Sequence, residues 1–267
     1  MKSSRPDAKT FIELPSARRR FFKRALGAAG ALGLAGCERL SQTEWFPKVL
    51  SAGEAASSAV AHAVTSRKAM AQEFTAADLS PTFRSNGTAE PNNDEYRQLA
   101  ANAFVDYELE VDGLVAEPRT FSLAELRALP SRTQITRHDC VEGWSAIAKW
   151  KGVRLAALLE GVRPRPEARF VVFHCADPME DDGTDFYYES IDLEDAFHPQ
   201  TILAYELNDA ALPIANGAPI RLRVERQLGY KHAKYVMRIE LVASFASIEG
   251  GKGGYWEDQG YQWFAGI

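Results

Sequence analysis

The sequence predicts an α+β domain built on a mostly antiparallel or mixed sheet with short helices. Several segments alternate apolar and polar residues with a period of two, or stay apolar over five or six positions, as strands do. Short apolar stripes with helix start and stop signals lie between them. The two kinds of segment mix without the strict strand–helix–strand rhythm of a parallel, doubly wound sheet.

Near the N-terminus stands Arg18-Arg19-Arg20-Phe21-Phe22-Lys23-Arg24, followed by an Ala/Gly/Leu run from Ala25 to Gly36. A basic start before an apolar stretch too short to cross a bilayer, which takes about 20 residues, predicts a signal peptide over residues 1–36. Paired arginines before Phe-Phe-Lys resemble the twin-arginine export signal, a route that carries folded proteins. Leu34-Ala35-Gly36-Cys37 has the form of a bacterial lipoprotein box, which makes Cys37 a lipidation site. The expectation is an exported, periplasmic protein held at the membrane by a lipid anchor. A disordered basic tail, or an ordinary cleavage site with Cys37 incidental, is the alternative.

Residues 37–79, rich in Ala and Ser, read as a linker passing into an N-terminal helix, and residues 80–267 as the functional domain. The domain opens on a Gly/Pro/Asn-containing loop, residues 80–93, long enough to hold a ligand. Val105, Tyr107, Leu109 and Val111 then alternate with acidic residues as a half-wet strand closed by Asp112-Gly113. Ser122-Leu123-Ala124-Glu125 is a capping box for a short helix carrying Leu126 and Leu129 and stopped by Pro130. A strand over 132–137 leads to Cys140. Val153, Leu155, Leu158, Leu159 and Val162 make a helical stripe, and further strands fall at 169–174, 202–206, 220–224 and 234–242, with a helix near 193–197.

With 46% hydrophobic and 25% charged residues the chain has a globular composition and can bury a real core. A net charge of -5 spread over both signs gives no general attraction to nucleic acid. Three cysteines (Cys37, Cys140, Cys175) are too few for a disulfide framework. Five histidines without His-x-x-His or His-Glu-x-x-His spacing leave zinc hydrolysis a weak rival.

Chemistry concentrates in Arg137-His138-Asp139-Cys140-Val141-Glu142-Gly143-Trp144-Ser145, where a strand pattern enters a glycine turn crowded with polar and aromatic groups. A structural cysteine sits among aliphatic neighbours, whereas a thiolate ligand needs a turn that exposes sulfur. His138, two residues away, shares a strand face with Cys140, so a cysteine nucleophile with His138 or His174 is a rival from another class.

Cys140-Val141-Glu142-Gly143-Trp144-Ser145, with Trp150, Gly152 and Leu155 downstream, resembles the cysteine motif of the sulfite-oxidase family, especially its bacterial periplasmic sulfoxide-reductase branch. The resemblance runs from about Phe83 to Leu241 in ordered blocks. It implies a sulfite-oxidase-type molybdopterin-binding domain, with Cys140 on molybdenum and one molybdopterin per metal. Asn216-Gly217-Ala218-Pro219-Ile220-Arg221 and Gly229-Tyr230-Lys231-His232-Ala233-Lys234 are similar to its pterin-binding segment, which implies that Asn216, Arg221, His232, Ala233 and Lys234 hold the cofactor. The basic content suits a phosphate tail, although a strand and turn with a solvated basic face would show the same charge run. Asn86 falls where the family contacts the pterin through an asparagine. Cys175 falls where relatives have a threonine; a small buried residue, or a disulfide with Cys140, is the alternative there. Leu203-Ala204-Tyr205-Glu206-Leu207-Asn208 resembles a sulfite-oxidase segment and implies a catalytic role for Tyr205, a core tyrosine being the other reading.

The expected reaction is two-electron oxygen-atom transfer to or from a small oxyanion or sulfoxide-like substrate. Sulfite oxidases follow the cysteine with closely spaced arginines, which Val141-Glu142-Gly143-Trp144 replaces here. No Cys-x-x-Cys-His haem motif or flavin motif is present, so electrons are expected to pass to or from a membrane cytochrome b or a soluble cytochrome c. The aromatic stretch from Tyr255 to Phe264 is expected to pack in the ordinary way, with capping of the pocket as the alternative. A cofactor-free binding or structural protein that keeps the fold is the competing function, and a monomer the expected assembly.

Overall fold

Strand β1 (Glu108–Gly113) forms where the alternation predicts it, with Leu109 and Val111 fully buried and Glu108 and Glu110 in solvent. It pairs antiparallel with β2 (Arg119–Ser122) and parallel with β10 (Val236–Val242). β10 runs antiparallel to β5 (Phe170–Pro178), and β5 to β6 (Phe186–Asp192), giving a five-stranded mixed sheet in the order β2-β1-β10-β5-β6. This computed structural model describes residues 68–180 and 182–267, together with Thr43, Trp45, Phe46, Gly53 and Ser66.

A second sheet is built on the hairpin of β3 (Ser131–Cys140) and β4 (Trp144–Arg154), paired in register from Ser131↔Val153 to Cys140↔Trp144. β7 (Ile202–Leu207) adds to β4, and both β8 (Ala210–Ala211) and β9 (Arg221–Arg223) pair with β7. β4 was absent from the expected elements. Its inward residues Ala146, Ala148 and Trp150 include two alanines, too small to give an apolar alternation that stands out.

Helix α1 (Asp94–Ala101) was also unforeseen, because its sequence is polar on nearly every side. Asn93 caps it, its side chain accepting from the Tyr96 amide at 3.1 Å, and Tyr96, its one buried residue, donates to the Ala218 carbonyl at 2.7 Å. The chain then turns through Ala103 and Phe104, both at positive φ, which leaves Val105 exposed rather than in the strand. α2 (Leu123–Ala128) carries the expected capping box: Glu125 N donates to Ser122 Oγ at 3.2 Å and Ser122 N to Glu125 Oε2 at 2.9 Å. α3 (Leu155–Val162) starts after Val153 because Val153 and Arg154 finish β4. The short α4 (Leu193–Ala196) is capped by Asp192, whose Oδ1 accepts from Asp195 N at 2.8 Å.

One core cluster joins both sheets: Leu109, Val111, Val171, Phe173, Ile239 and Leu241 from the first, Val153, Leu203 and Leu222 from the second, and Leu155, Leu158, Leu159 and Val162 from α3. Each such burial stabilises the fold by ~1.5–3 kcal/mol. The link from β9 in one sheet to β10 in the other crosses between them, tied by Leu222 N donating to the Ala233 carbonyl at 2.8 Å. That crossing positions the site.

The chain divides into units Met1–Ala63 and Val64–Ile267. In the second, Ala71 N donates to Gln200 Oε1 at 2.7 Å and Phe74 N to the Ile135 carbonyl at 2.8 Å, so the domain takes in residues ahead of 80. The expected signal peptide, Cys37 and most of the 37–79 segment lie outside the described residues. Among the described residues no helix is long and apolar enough to cross a membrane.

Candidate active site

Cys140 ends β3, and its carbonyl accepts from Gly143 N at 3.0 Å in the tight turn that reverses into β4. Gly143 sits at φ +85°, in the left-handed region that glycine adopts most readily. The turn delivers the Cys140 side chain to the wall of a cavity of about 200 Å³ that is also lined by Asn86, Asp177, Tyr187, His232, Lys234 and Tyr261. Cys140 and Cys175 are both free thiols. Burial raises the Cys140 thiol above its ordinary pKa, and the Glu142 charge adds to this, while the Glu142 amide and Arg84 pull it down.

The wall facing the β9–β10 link holds two buried cations, Arg221 and Lys234, whose hydrogen bonds among the described residues go to backbone carbonyls. Arg221 is fully buried and donates only to the Asn216 carbonyl at 3.0 Å and the His232 carbonyl at 3.2 Å. Burial, with Arg223 nearby, pushes its guanidinium down to about 9. Lys234 Nζ donates to the carbonyls of Asn86 (2.7 Å), Ala215 (3.0 Å) and Thr88, and burial followed by Arg221 lowers it to about 7. Gly217, at φ +107°, lets the two side chains pack together, since a Cβ there would lie 2.9 Å from Lys234 Cβ and 3.1 Å from Arg221 Cβ. Asp177 pulls Lys234 part of the way back up and Glu225 does the same for Arg221, yet both cations stay depressed, a setting that favours a bound anion.

Six buried polar atoms in and behind this wall have no partner among the described residues: Asn86 Oδ1, His138 Nε2, Asp177 Oδ1, Asn216 Nδ2, Arg221 Nε and His232 Nδ1. Native interiors leave few such groups, so their clustering marks a place for a polar ligand. Donors, acceptors and unmatched positive charge fit a pterin with a phosphate tail, and a free thiol on the same cavity fits a sulfur ligand to its metal.

Of the expected cofactor contacts, Asn86, His232 and Lys234 line the cavity with Cys140, while Asn216 and Arg221 stand directly behind Lys234. Ala233 is buried in the core, its carbonyl taken by Leu222. Two of the expected site residues do not line this cavity. Cys175, opposite Val236 in the first sheet, is a core residue away from the cavity lining, and burial raises its thiol well above the ordinary value. Tyr205 packs in the core against Arg127 and Lys151, beside the Lys151↔Glu206 pair. Lys151 pairs with Thr133, seven residues along β3 from Cys140, roughly 23 Å at strand rise. The tyrosines at the cavity are Tyr187, Tyr230 and Tyr261.

Residues absent from the expected set also line it. Asp177 is buried, and burial carries its carboxyl up to about 7 against the opposing pull of Lys234. Its signal was an acid continuing an apolar strand run, Phe170 to Ala176. Trp256 and Tyr261 reach the wall from the C-terminal segment, where ordinary packing was expected. His138 shares the buried face of β3 with Cys140, but Arg223 Nη1 sits 2.9 Å from its Nδ1, and Gly229 packs so closely that a Cβ would lie 2.6 Å from its Nε2. His174 is 3.0 Å from Glu240 in the other sheet. Neither imidazole is placed as a base for Cys140.

The chain matches the family described as "Oxidoreductase molybdopterin binding domain" over residues 97–247. It is 38% identical over 266 residues to a protein of Azospira oryzae named putative protein-methionine-sulfoxide reductase subunit YedZ1, covering 100% of this chain and 94% of that one. It is 36% identical over 144 residues to the protein-methionine-sulfoxide reductase catalytic subunit MsrP of Ralstonia nicotianae, over 51% of this chain and 44% of the relative. Among solved structures, the sulfane dehydrogenase SoxCD of Paracoccus pantotrophus is similar at a TM-score of 0.47 and 24% identity, over 52% of this chain and 39% of that one.

Proposed function

Because the chain belongs to the oxidoreductase molybdopterin-binding-domain family and is a molybdopterin-dependent oxidoreductase of the sulfite-oxidase kind, we propose that it reduces a sulfoxide by two-electron oxygen-atom transfer. Cys140 is the protein's sulfur on molybdenum, with one pterin per metal. The observation that carries this is one cavity lined by a free cysteine thiol, by the Lys234 ammonium and by the unpartnered polar atoms Asn86 Oδ1, Asp177 Oδ1 and His232 Nδ1.

The cofactor supplies the two-electron redox change, and the chain binds and orients it. Lys234 would hold the phosphate with the Arg221 charge behind it, and Asn86 and His232 would offer their unpaired atoms to the pterin, with the Asn216 amide nitrogen behind them. A nearby anion would raise Lys234 from about 7 and keep it charged. In the balanced reaction the sulfoxide oxygen leaves as water, with two electrons from a partner protein and two protons, and a thioether remains. Tyr261, partly exposed on the cavity wall, is placed to hold a proton at its hydroxyl or to orient the substrate oxygen.

Substrate class follows from the lining. Next to Cys140 stand Val141 and Glu142, and Met179, Trp256 and Tyr261 complete an apolar rim. A carboxylate in place of a guanidinium repels sulfite and tolerates a neutral sulfoxide. The names of the relatives agree with a sulfoxide substrate, including one carried on protein methionine. The electron donor is a membrane cytochrome b or a soluble cytochrome c, and the leader with Cys37 directs an exported, lipid-anchored protein.

The test is metal and pterin analysis with X-ray absorption on wild type and Cys140→Ser. Wild type should carry one molybdenum and one pterin per chain. The variant should lose one sulfur from the metal's ligands, and its dye-driven sulfoxide reduction should fall by more than roughly a hundredfold. An unchanged sulfur count would sink the assignment of Cys140.

A further inference from the structure

A second cluster of buried charge lies behind the aromatic wall of the cavity. Lys231 closes the 3-10 turn Gly229–Lys231 and is fully buried; its Nζ donates to Glu189 of β6 and, at 2.6 Å, to Glu257 Oε1. Glu257 belongs to α5 (Tyr255–Asp258), the only helix of the C-terminal segment among the described residues. Both carboxylates crowd Gly254, where a Cβ would lie 2.1 Å from Glu257 Oε2 and 2.8 Å from Glu189 Oε1. Two buried acids thus share one ammonium, and each keeps one oxygen without a partner, Glu189 Oε2 and Glu257 Oε2.

The cluster sits at the junction of the C-terminal segment with the rest of the domain. Around it Ser190 Oγ donates to the Gly253 carbonyl, Trp263 Nε1 to Ser190 Oγ at 2.8 Å, and Tyr230 OH to the Gln262 carbonyl at 2.7 Å. Lys231 Nζ stands 5.4 Å from the centre of the Trp263 ring. The segment so fastened brings Trp256 and Tyr261 to the same cavity as Cys140, and Tyr230 and Tyr261 pack edge to face at 5.3 Å.

We infer that Lys231 is a positioning residue: its paired bridges to Glu189 and Glu257 latch the C-terminal segment onto the Gly229–Lys231 turn and so hold Trp256 and Tyr261 over the Cys140 side of the cavity. A single cation joins the two acids, and beside it Tyr188 OH of β6 donates to the Asp258 carboxylate of α5. Removing it leaves two buried acids without a counter-charge, and a segment with one short helix relieves that most easily by opening locally. The consequence for catalysis rests on the cavity being the reaction site; the latch itself does not.

The test uses the full chain in its cofactor-free form, with Lys231→Met and Glu257→Gln, and reads iodoacetamide alkylation of Cys140 by mass spectrometry of its peptide. With the latch broken, the Cys140 rate should rise roughly tenfold in Lys231→Met and less in Glu257→Gln, while Cys175 stays protected in both. In cofactor-loaded enzyme the KM for dimethyl sulfoxide should rise in the same order. Cys140 rates equal to wild type, with only a lowered Tm, would make the cluster a structural tie and overturn the inference. If Lys231→Met does not fold, Glu257→Gln decides by the same criterion. Absence of molybdenum or of turnover would count against the proposed function and would not touch the alkylation result.

Discussion

Asn216 shows how a single side chain separates folding from cofactor binding. Its backbone carbonyl accepts from Arg221, but its side-chain nitrogen is buried without a partner. Asn216→Ala should therefore leave the cofactor-free protein within ~1 kcal/mol of wild type in urea titration, or slightly more stable, since it removes an unsatisfied group. The loaded protein should retain its pterin roughly tenfold to a hundredfold less well on dilution, the loss of a hydrogen bond made only with the ligand. Equal retention would take Asn216 out of the site. At this scale the sequence motif located Cys140, Asn86, His232 and Lys234 on one cavity, because each lies in a turn or loop whose residues are read locally. Tyr205 and Cys175 lie off that cavity, inside regular strands, where the direction and distance of a side chain depend on pairing that no local motif contains.

The hairpin of β3 and β4 carries two glycines with different reasons to be glycine. Gly143 has a positive φ and open space around it, so Gly143→Ala costs backbone strain alone, about 1 kcal/mol. Gly152 lies where β4 meets β7, and a Cβ would fall 2.1 Å from the Leu203 carbonyl oxygen. Gly152→Ala must push two paired strands apart, and a cost of ~3 kcal/mol is expected. Chemical denaturation of the two variants should rank them in that order; the reverse order would mean that the strand contact yields more easily than the turn. α2 and α3 were legible because a capping box and an apolar stripe at helical spacing are local signals. β4 and α1 were not, because small alanines and a polar helix gain their places only from the surfaces they meet.

For the whole domain, the buried imidazoles set how stability responds to acid. Burial first, and then neighbouring cations, hold His138, His198 and His232 below the ordinary histidine pKa. A group with a depressed folded pKa costs nothing well above about 6.5 and destabilises the fold as pH falls through that value, where the unfolded chain takes up protons the native one refuses. Asp177, raised to about 7, works the other way between 3.8 and that value, which partly offsets the histidines. His198 lies away from the cavity and isolates the effect. Between about pH 7.5 and about pH 5.5 the Tm of wild type should fall faster than that of His198→Asn, and parallel curves would show that His198 titrates normally. What the sequence by itself determined was the class of the fold, the family motif around Cys140 and the basic stretch from Arg221 to Lys234, all of which are written in periodicity, turn residues and short spacings. Only the tertiary structure decided which tyrosines face the cavity, that Asp177 and the C-terminal Trp256 and Tyr261 belong to its lining, and that Lys231 bridges Glu189 and Glu257 behind it. Those facts depend on how two sheets and the link between them meet, and contacts between residues dozens of positions apart leave no period or spacing in the chain to be read.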